Sequence, residues 1–375
     1  PKDSGFLLQA ATGYLALGRD ENARNSLERL RNLPLSDTQA IQVTSLLLSL
    51  HENDYALKIM KKLRADHTPD PATWVQFDLA LAYLLAGNYE EASKEASVCA
   101  QAVYPQRADV EKHAAQAWSL MGIAYAHLKQ GDQSVSALRK AANLAPGEEE
   151  HWLNLTRELM ELSRYPESVA AVQDGLAANP KSYALRLRLG AAYMAAGRYA
   201  EAEVVFRDLV AAGDPLPMGY IGLAQILLRT DRPQEAATDL ADAEKKLGPT
   251  FLISYFRGLA LARAAKPAEA LTAFQQAIQL APSNAEAHLN LGKTQLTLGH
   301  VSEAIAELQE AHRLDPANVQ AKRLLSQAYR RAGDRINAEK YAEAAADTGP
   351  SAPTVDLIGD FFIPQWQVPV DGPGK

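Results

Sequence analysis

The stretch AEAHLNLGKTQLTLGHVSEAIAELQEAHRLDPAN, residues 285–318, decides the fold. Two amphipathic helical patterns lie in it, joined at Gly299. The first carries Leu289, Leu291, Leu296 and Leu298; the second carries Val301, Ala304, Ile305, Leu308, Ala311 and Leu314. Recurrence at helical spacing puts these apolar groups on one face of each helix. Asp315-Pro316 stops the second helix, because the residue ahead of a proline is pushed out of the helical region. Gly292, Ala304 and Ala311 are small where two helices would approach most closely. A hairpin of this size cannot bury its apolar faces alone and needs neighbours of its own kind.

A step of about 34 residues in either direction meets the same pattern. Upstream, Gly258, Ala270, Phe274, Ala277 and Pro282 stand where Gly292, Ala304, Leu308, Ala311 and Pro316 stand; downstream the set is Ser326, Ala338, Ala342, Ala345 and Pro350. The pattern resembles the tetratricopeptide repeat, with its aromatic, Leu-Gly, Tyr, Ala, Phe, Ala, Pro markers. The resemblance runs over nearly the whole chain. It implies an all-α fold: a right-handed superhelical solenoid of about ten helix-turn-helix repeats, closed by a non-repeat C-terminal capping tail.

An N-terminal group, residues 4–106, divides into 4–37, 39–72 and 73–106. Leu7, Ala11, Tyr14, Gly18, Ala23 and Leu27 mark the first. The second reads as degenerate: Leu46, Leu47, Leu48 and Leu50 make a strong first helix, but Lys58 and Lys62 stand where small or aromatic residues are favoured. The third is marked by Leu79-Ala80, Tyr83, Gly87, Ala92, Ala96 and Cys99. Cys99, on a packing position, reads as a small buried hydrophobe. The phase then slips over residues 107–114, which lack proline and glycine and read as a helical insertion that extends the next helix. A C-terminal group, 115–352, follows in regular register as 115–148, 149–182, 183–216, 217–250, 251–284, 285–318 and 319–352. The tail, 353–375, holds Pro353, Pro364, Pro369 and Pro373, which forbid a long helix. It also holds Leu357, Ile358, Phe361, Phe362, Ile363 and Trp366. A terminal repeat needs a cover for its last apolar face. The tail is expected to supply it, the alternative being that its aromatic residues dock on a partner.

The net charge of −7 argues against nonspecific nucleic-acid binding through a basic surface. A single cysteine excludes an intramolecular disulfide framework. No apolar run approaches the roughly 18 residues of a membrane span. The chain starts at Pro1, which is compatible with a trimmed form, and the compartment is left open between bacterial cytoplasm and periplasm. No phosphate-cradling loop, nucleophile elbow, zincin helix or paired-cysteine spacing is present. The 8 histidines are scattered without relation to the repeat. No catalytic residue, cofactor or metal is therefore expected, and the Asn154-Leu155-Thr156 sequon falls inside a predicted helix.

The resemblance implies that first helices line a concave groove. Carried over position by position, the groove has an apolar early part: Val43, Leu47, Leu50, Trp74, Phe77, Leu81, Leu84, Leu85 and Ile123. Its later part is polar and basic: Asn154, Arg188, Arg229, Arg263, Asn290, Lys293, Arg323, Arg330 and Arg331, with Tyr255 and Phe256 among them. The competing reading makes the apolar set repeat-to-repeat core. It makes the basic set a solvated face, or one paired with Glu286 and with Asp356 and Asp360 of the tail. Asn154 and Arg188 match two positions of the family's carboxylate clamp. Ser119 and Ile123 stand where the clamp needs lysine and asparagine, so chaperone binding is not expected. An asparagine ladder is also incomplete, with only Asn154 and Asn290 in place. The expected function is a non-enzymatic scaffold for a protein or peptide partner. The alternative is an accessory domain of an envelope, secretion or polysaccharide-export assembly or of a regulatory protein, and self-association is a further option where an end exposes apolar surface.

Overall fold

The computed structural model describes residues 3–66, 73–101, 110–213 and 216–346, and every regular element in them is an α-helix. The chain falls into two compact units that meet in sequence between Leu185 and Arg186. The first contains α1 (Ser4–Ala16), α2 (Asp20–Leu30), α3 (Asp37–Ser49), α4 (Asn53–Asp66), α5 (Thr73–Leu85), α6 (Tyr89–Gln101), α7 (Val110–His127), α8 (Gly131–Leu144), α9 (Glu149–Glu161) and α10 (Tyr165–Ala178). The boundary lies within α11 (Tyr183–Ala195). The second unit continues with α12 (Tyr199–Ala211), α13 (Met218–Arg229), α14 (Pro233–Leu247), α15 (Phe251–Arg263), α16 (Pro267–Leu280), α17 (Ala285–Leu298), α18 (Val301–Leu314), α19 (Val319–Arg331) and α20 (Arg335–Ala346). Within each unit an odd-numbered helix packs on the even-numbered helix that follows it, and odd-numbered neighbours also touch one another, as α5 touches α7 and α17 touches α19. That is an all-α repeat solenoid of helical hairpins.

The turn inside each hairpin sets the repeat. One residue there takes a left-handed conformation, and from Lys129 onward these residues are Ser163, Gly197, Asp231, Ala265, Gly299 and Gly333, each 34 after the last. Earlier markers are Gly18, His51 and Gly87, at steps of 33, 36 and then 42 to Lys129. The last step exceeds the regular one by eight. Val110–Ala114 form the start of α7, while 102–109 lie outside the described residues.

His51 also corrects the reading of the second hairpin. Counted from the turn, Ala304, Leu308 and Ala311 of α18 correspond to Ala56, Met60 and Leu63 of α4, and all three of these are buried. The hairpin starts at Asp37, capped by Ser36, and not at residue 39. It is not degenerate; Lys58 and Lys62 are simply exposed. The frame was missed because a histidine stands where glycine usually signals the turn.

First helices take polar N-caps at repeat spacing. Thr250, Asn284 and Asn318 each accept a hydrogen bond from the backbone N–H three residues on. Three second helices start instead on an arginine paired to a glutamate in the first turn, Arg164–Glu167, Arg198–Glu201 and Arg232–Glu235. These carboxylates sit at the positive end of the helix dipole. Exposed ion pairs of this kind contribute little to stability.

Packing between helices depends on glycines in the odd-numbered set. Phe206 of α12 is fully buried, with its ring against Gly190 of α11 and Gly222 of α13. A Cβ at Gly190 would lie 2.5 Å from Phe206 Cζ. Gly258 faces Phe274, and Gly292 faces Leu308, in the same manner. Around α17–α19 the core comprises Leu289, Leu296, Ala304, Leu308, Ala311, Ala321, Leu325 and Ala328.

Helix α5 buries Phe77, Leu79, Ala80, Leu81, Ala82 and Leu84, so that it is apolar nearly all round. Asp78 sits among them, half-buried, and burial pushes its carboxyl up to about 7.

Three expectations follow from this packing. Gly190→Val gains a few tenths of a kcal/mol in helix propensity but overpacks Phe206, which costs roughly 1–3 kcal/mol; a lower urea midpoint in the 186–346 unit checks it. Ala265→Gly relieves a left-handed alanine worth roughly 1–2 kcal/mol against about 0.4–1 kcal/mol of added chain entropy, so the midpoint should rise. Asp78→Asn addresses a carboxylate whose folded pKa is raised, which stabilises the fold at low pH and loses that stabilisation as pH climbs from about 4 to about 7. The melting-temperature advantage of the variant should therefore open across that window and stay level above it.

Candidate functional site

The residues expected to line a groove separate into three groups. Phe77, Leu81 and Leu84 are at most 5% exposed, and Val43, Leu47, Leu50 and Ile123 are equally buried. They form the core between hairpins, so these members of the expected groove are not a surface, while Leu85 is half-buried. Trp74 lies in the first turn of α5, and its side chain is outside the described residues. Tyr255 is also interior, packed edge-on against Phe256 and Phe274. Asn290, half-buried, donates to its hydroxyl at 3.3 Å.

A second group is spent on structure. Asn154 is buried and donates to Ser119 Oγ at 3.2 Å, and Arg188 is buried as well. The two matches to a carboxylate clamp are thus both closed to a ligand. Arg331 is exposed, yet its guanidinium donates to the Leu296 carbonyl at 2.6 Å and holds the last turn of α17. Glu286 does not serve the basic set; it accepts from Asn318 at 3.2 Å, and burial raises its pKa.

The third group stays on the surface of the second unit. Arg229 and Arg263 end α13 and α15, and Arg263 lies 3.7 Å from Asp231, both side chains largely exposed. Lys293 on α17 and Arg323 and Arg330 on α19 are exposed, and none forms an ion pair with a described residue. Arg323 and Arg330 are two helical turns apart and so share a face. With Ser326, Ala342, Ala345 and Ala346 they line an open cleft of about 320 Å³. Its wall is ordered by hydrogen bonds: Arg330 donates to Ser326 Oγ at 3.1 Å, and Ser326 donates to the Ala338 carbonyl at 2.8 Å. The floor is alanine, so the cleft offers fixed positive charge over a small apolar patch.

The first unit holds a cleft of similar volume, about 320 Å³, that the sequence reading did not single out. His127, which ends α7, and Lys129 of the α7–α8 turn line it with Arg157, Glu158, Glu161 and Leu162 of α9 and its end. Tyr89 stacks flat on His127, with ring centroids 4.3 Å apart. Burial, then the charges of Arg157 and Lys129, lowers the His127 pKa. Burial likewise lowers that of Arg157 and raises that of Glu158. The cations and carboxylates nearly balance, so this cleft has no net sign with which to select a charged ligand. Arg157 stands at the repeat position of Lys293, and that register was the signal for it.

Among the described residues no group of three or more histidine, cysteine, aspartate or glutamate side chains is placed to hold a metal, and no helix is long and apolar enough to cross a membrane. Cys99 is buried.

Three family models described as tetratricopeptide repeat match residues 115–148, 153–217 and 261–328. A comparison with curated proteins finds no significant match. Among solved structures, MamA from Desulfovibrio magneticus is 20% identical, with 45% of this chain and 96% of that chain covered and a TM-score of 0.42. Yeast Tom70 is 16% identical over 96% of this chain and 88% of that one, with a TM-score of 0.48. YrrB, described as having an unusual peptide-binding site, is 16% identical over 60% of this chain and 96% of that one, with a TM-score of 0.34. The 34-residue spacing of the turns runs through the three matched stretches, and the chain carries tetratricopeptide repeats there.

Proposed function

We propose that the chain is a scaffold without catalysis of its own, and that it holds an acidic segment of a protein partner on the basic face of α17 and α19. The observation that carries this is the set Lys293, Arg323 and Arg330: exposed, on neighbouring first helices, and without an acidic partner among the described residues. Arg263 would extend the same charge toward α15. The repeat family is a protein-interaction fold, and extended or helical peptides are the ligands that such helix faces take. Charge on an exposed rim steers association and sets specificity more than it adds affinity. Apolar side chains of the partner would rest on the alanine floor beside Arg330.

The reading is tested by titrating two peptides into the full chain, one alternating leucine with glutamate, the other leucine with lysine. The acidic peptide should bind and the basic one should not, with affinity falling as salt is raised. Reversal at two contacts, R323E with R330E, removes about 0.7 kcal/mol each and should weaken binding about tenfold. Equal affinity for both peptides, or indifference to the charge reversal, would refute the assignment.

A further inference from the structure

We infer that the Arg323–Arg330 cleft has a resident occupant, the chain's own segment Val355–Trp366, which an acidic partner must displace. The second clause rests on the function proposed above; the first does not.

The argument starts from what a second helix does in this fold. On α18, Ala304, Leu308 and Ala311 form one core with Ala321, Leu325 and Ala328 of the following first helix, α19. One repeat step of 34 carries the receiving set to Ala338, Ala342 and Ala345 on α20. No helix among the described residues follows α20 to take that seat. The same step carries the inserted set to Val355, Gly359 and Phe362, with Ile358 and Ile363 where Leu324 and Tyr329 flank the core. Four of these five positions are apolar and the fifth is glycine, so the register continues past the last described helix.

Charge points to the same segment. Asp356 and Asp360 lie inside it, and its only charged residues are these two acids. The cleft presents two arginines without acidic partners among the described residues. Reach is sufficient. Ala346 lines the cleft and ends α20, so Val355 lies nine residues beyond it, and nine residues can span up to about 30 Å. A covalently attached segment acts at a high effective concentration, about millimolar for a short flexible link, so individually weak contacts are enough to hold it. An occupant of acidic and apolar character presents the same chemistry as the proposed partner, which makes the two mutually exclusive.

The test needs no partner. Hydrogen exchange is measured on the full chain, on R323D/R330D, on D356R/D360R and on the four-fold charge swap. Amides of 354–366 should be protected in the parent chain. Either reversal should speed their exchange about tenfold, together with that of Ala338–Ala346, and the swap should restore the protection. Coil-like exchange of 354–366 in the parent chain would overturn the inference. So would protection untouched by both reversals, or a swap that fails to restore it. Displacement is then read with the leucine–glutamate peptide, which should bind D356R/D360R more tightly than the parent chain; equal affinity overturns the second clause. If protection and its rescue hold while the acidic peptide binds neither chain, the proposed partner reading fails and the self-docked segment stands.

Discussion

Everything in this fold depends on how closely two helices can approach over a single large side chain. Phe206 has no exposure because the helices on either side of it offer glycine, Gly190 and Gly222, where any other residue would place a Cβ inside the ring's contact distance. Burial of an aromatic side chain is worth a few kcal/mol, and close packing strengthens it through dispersion. The same ring therefore binds its own hairpin and the one after it. Contacts of this type reach only to the adjacent repeat, which is why the chain can lengthen without enlarging its core.

The turn enforces the arrangement. A left-handed residue reverses the chain after each first helix, and five of these positions are held by His51, Lys129, Ser163, Asp231 and Ala265 and not by glycine. An isolated turn would favour glycine there. That these residues are tolerated means the packed hairpins on either side over-determine the turn. Tertiary contact outweighs the local preference, by an amount of order 1–2 kcal/mol per position.

This balance explains what could be read in advance. Regions with glycine or alanine at the seats and glycine at the turn, as in 285–318, declare their register openly. The hairpin that begins at Asp37 did not, because His51 hid its turn, and a two-residue error of frame put Lys58 and Lys62 in the places of the well-placed Ala56 and Met60. Several apolar members of the expected groove lie in the core for a related reason. Position within a first helix says which side a residue faces, but not whether a neighbouring hairpin closes over it. Apolar groups at those positions, Phe77 and Leu81 among them, were drawn into the core because burial favours them. Lys293, Arg323 and Arg330 stayed outside because a buried unpaired charge costs far more than packing can return. Arg331 was legible as a surface cation but not as the holder of the Leu296 carbonyl, which only the folded arrangement brings within reach.

The two clefts show how charge separates structure from recognition. In the first unit, Lys129 and Arg157 meet Glu158 and Glu161 in one small volume, and burial lowers the pKa of Arg157 and raises that of Glu158. Such a site is electrostatically self-contained. A ligand would have to compete with contacts the protein already makes, and its gain would be close to nothing. In the second unit the acids lie elsewhere: Glu203 and Glu235 are engaged by Arg207 and Arg232, and Glu244 by Arg257. Arg323 and Arg330 of α19 have no such neighbour among the described residues. Among the described residues, Lys293, Arg323 and Arg330 are left without an acidic neighbour, and that imbalance is what the proposed acidic segment would answer. Whether that proposed segment belongs to the chain or to another protein, the chemistry that suits the cleft is acid toward Arg323 and Arg330 and apolar surface toward Ala342, Ala345 and Ala346.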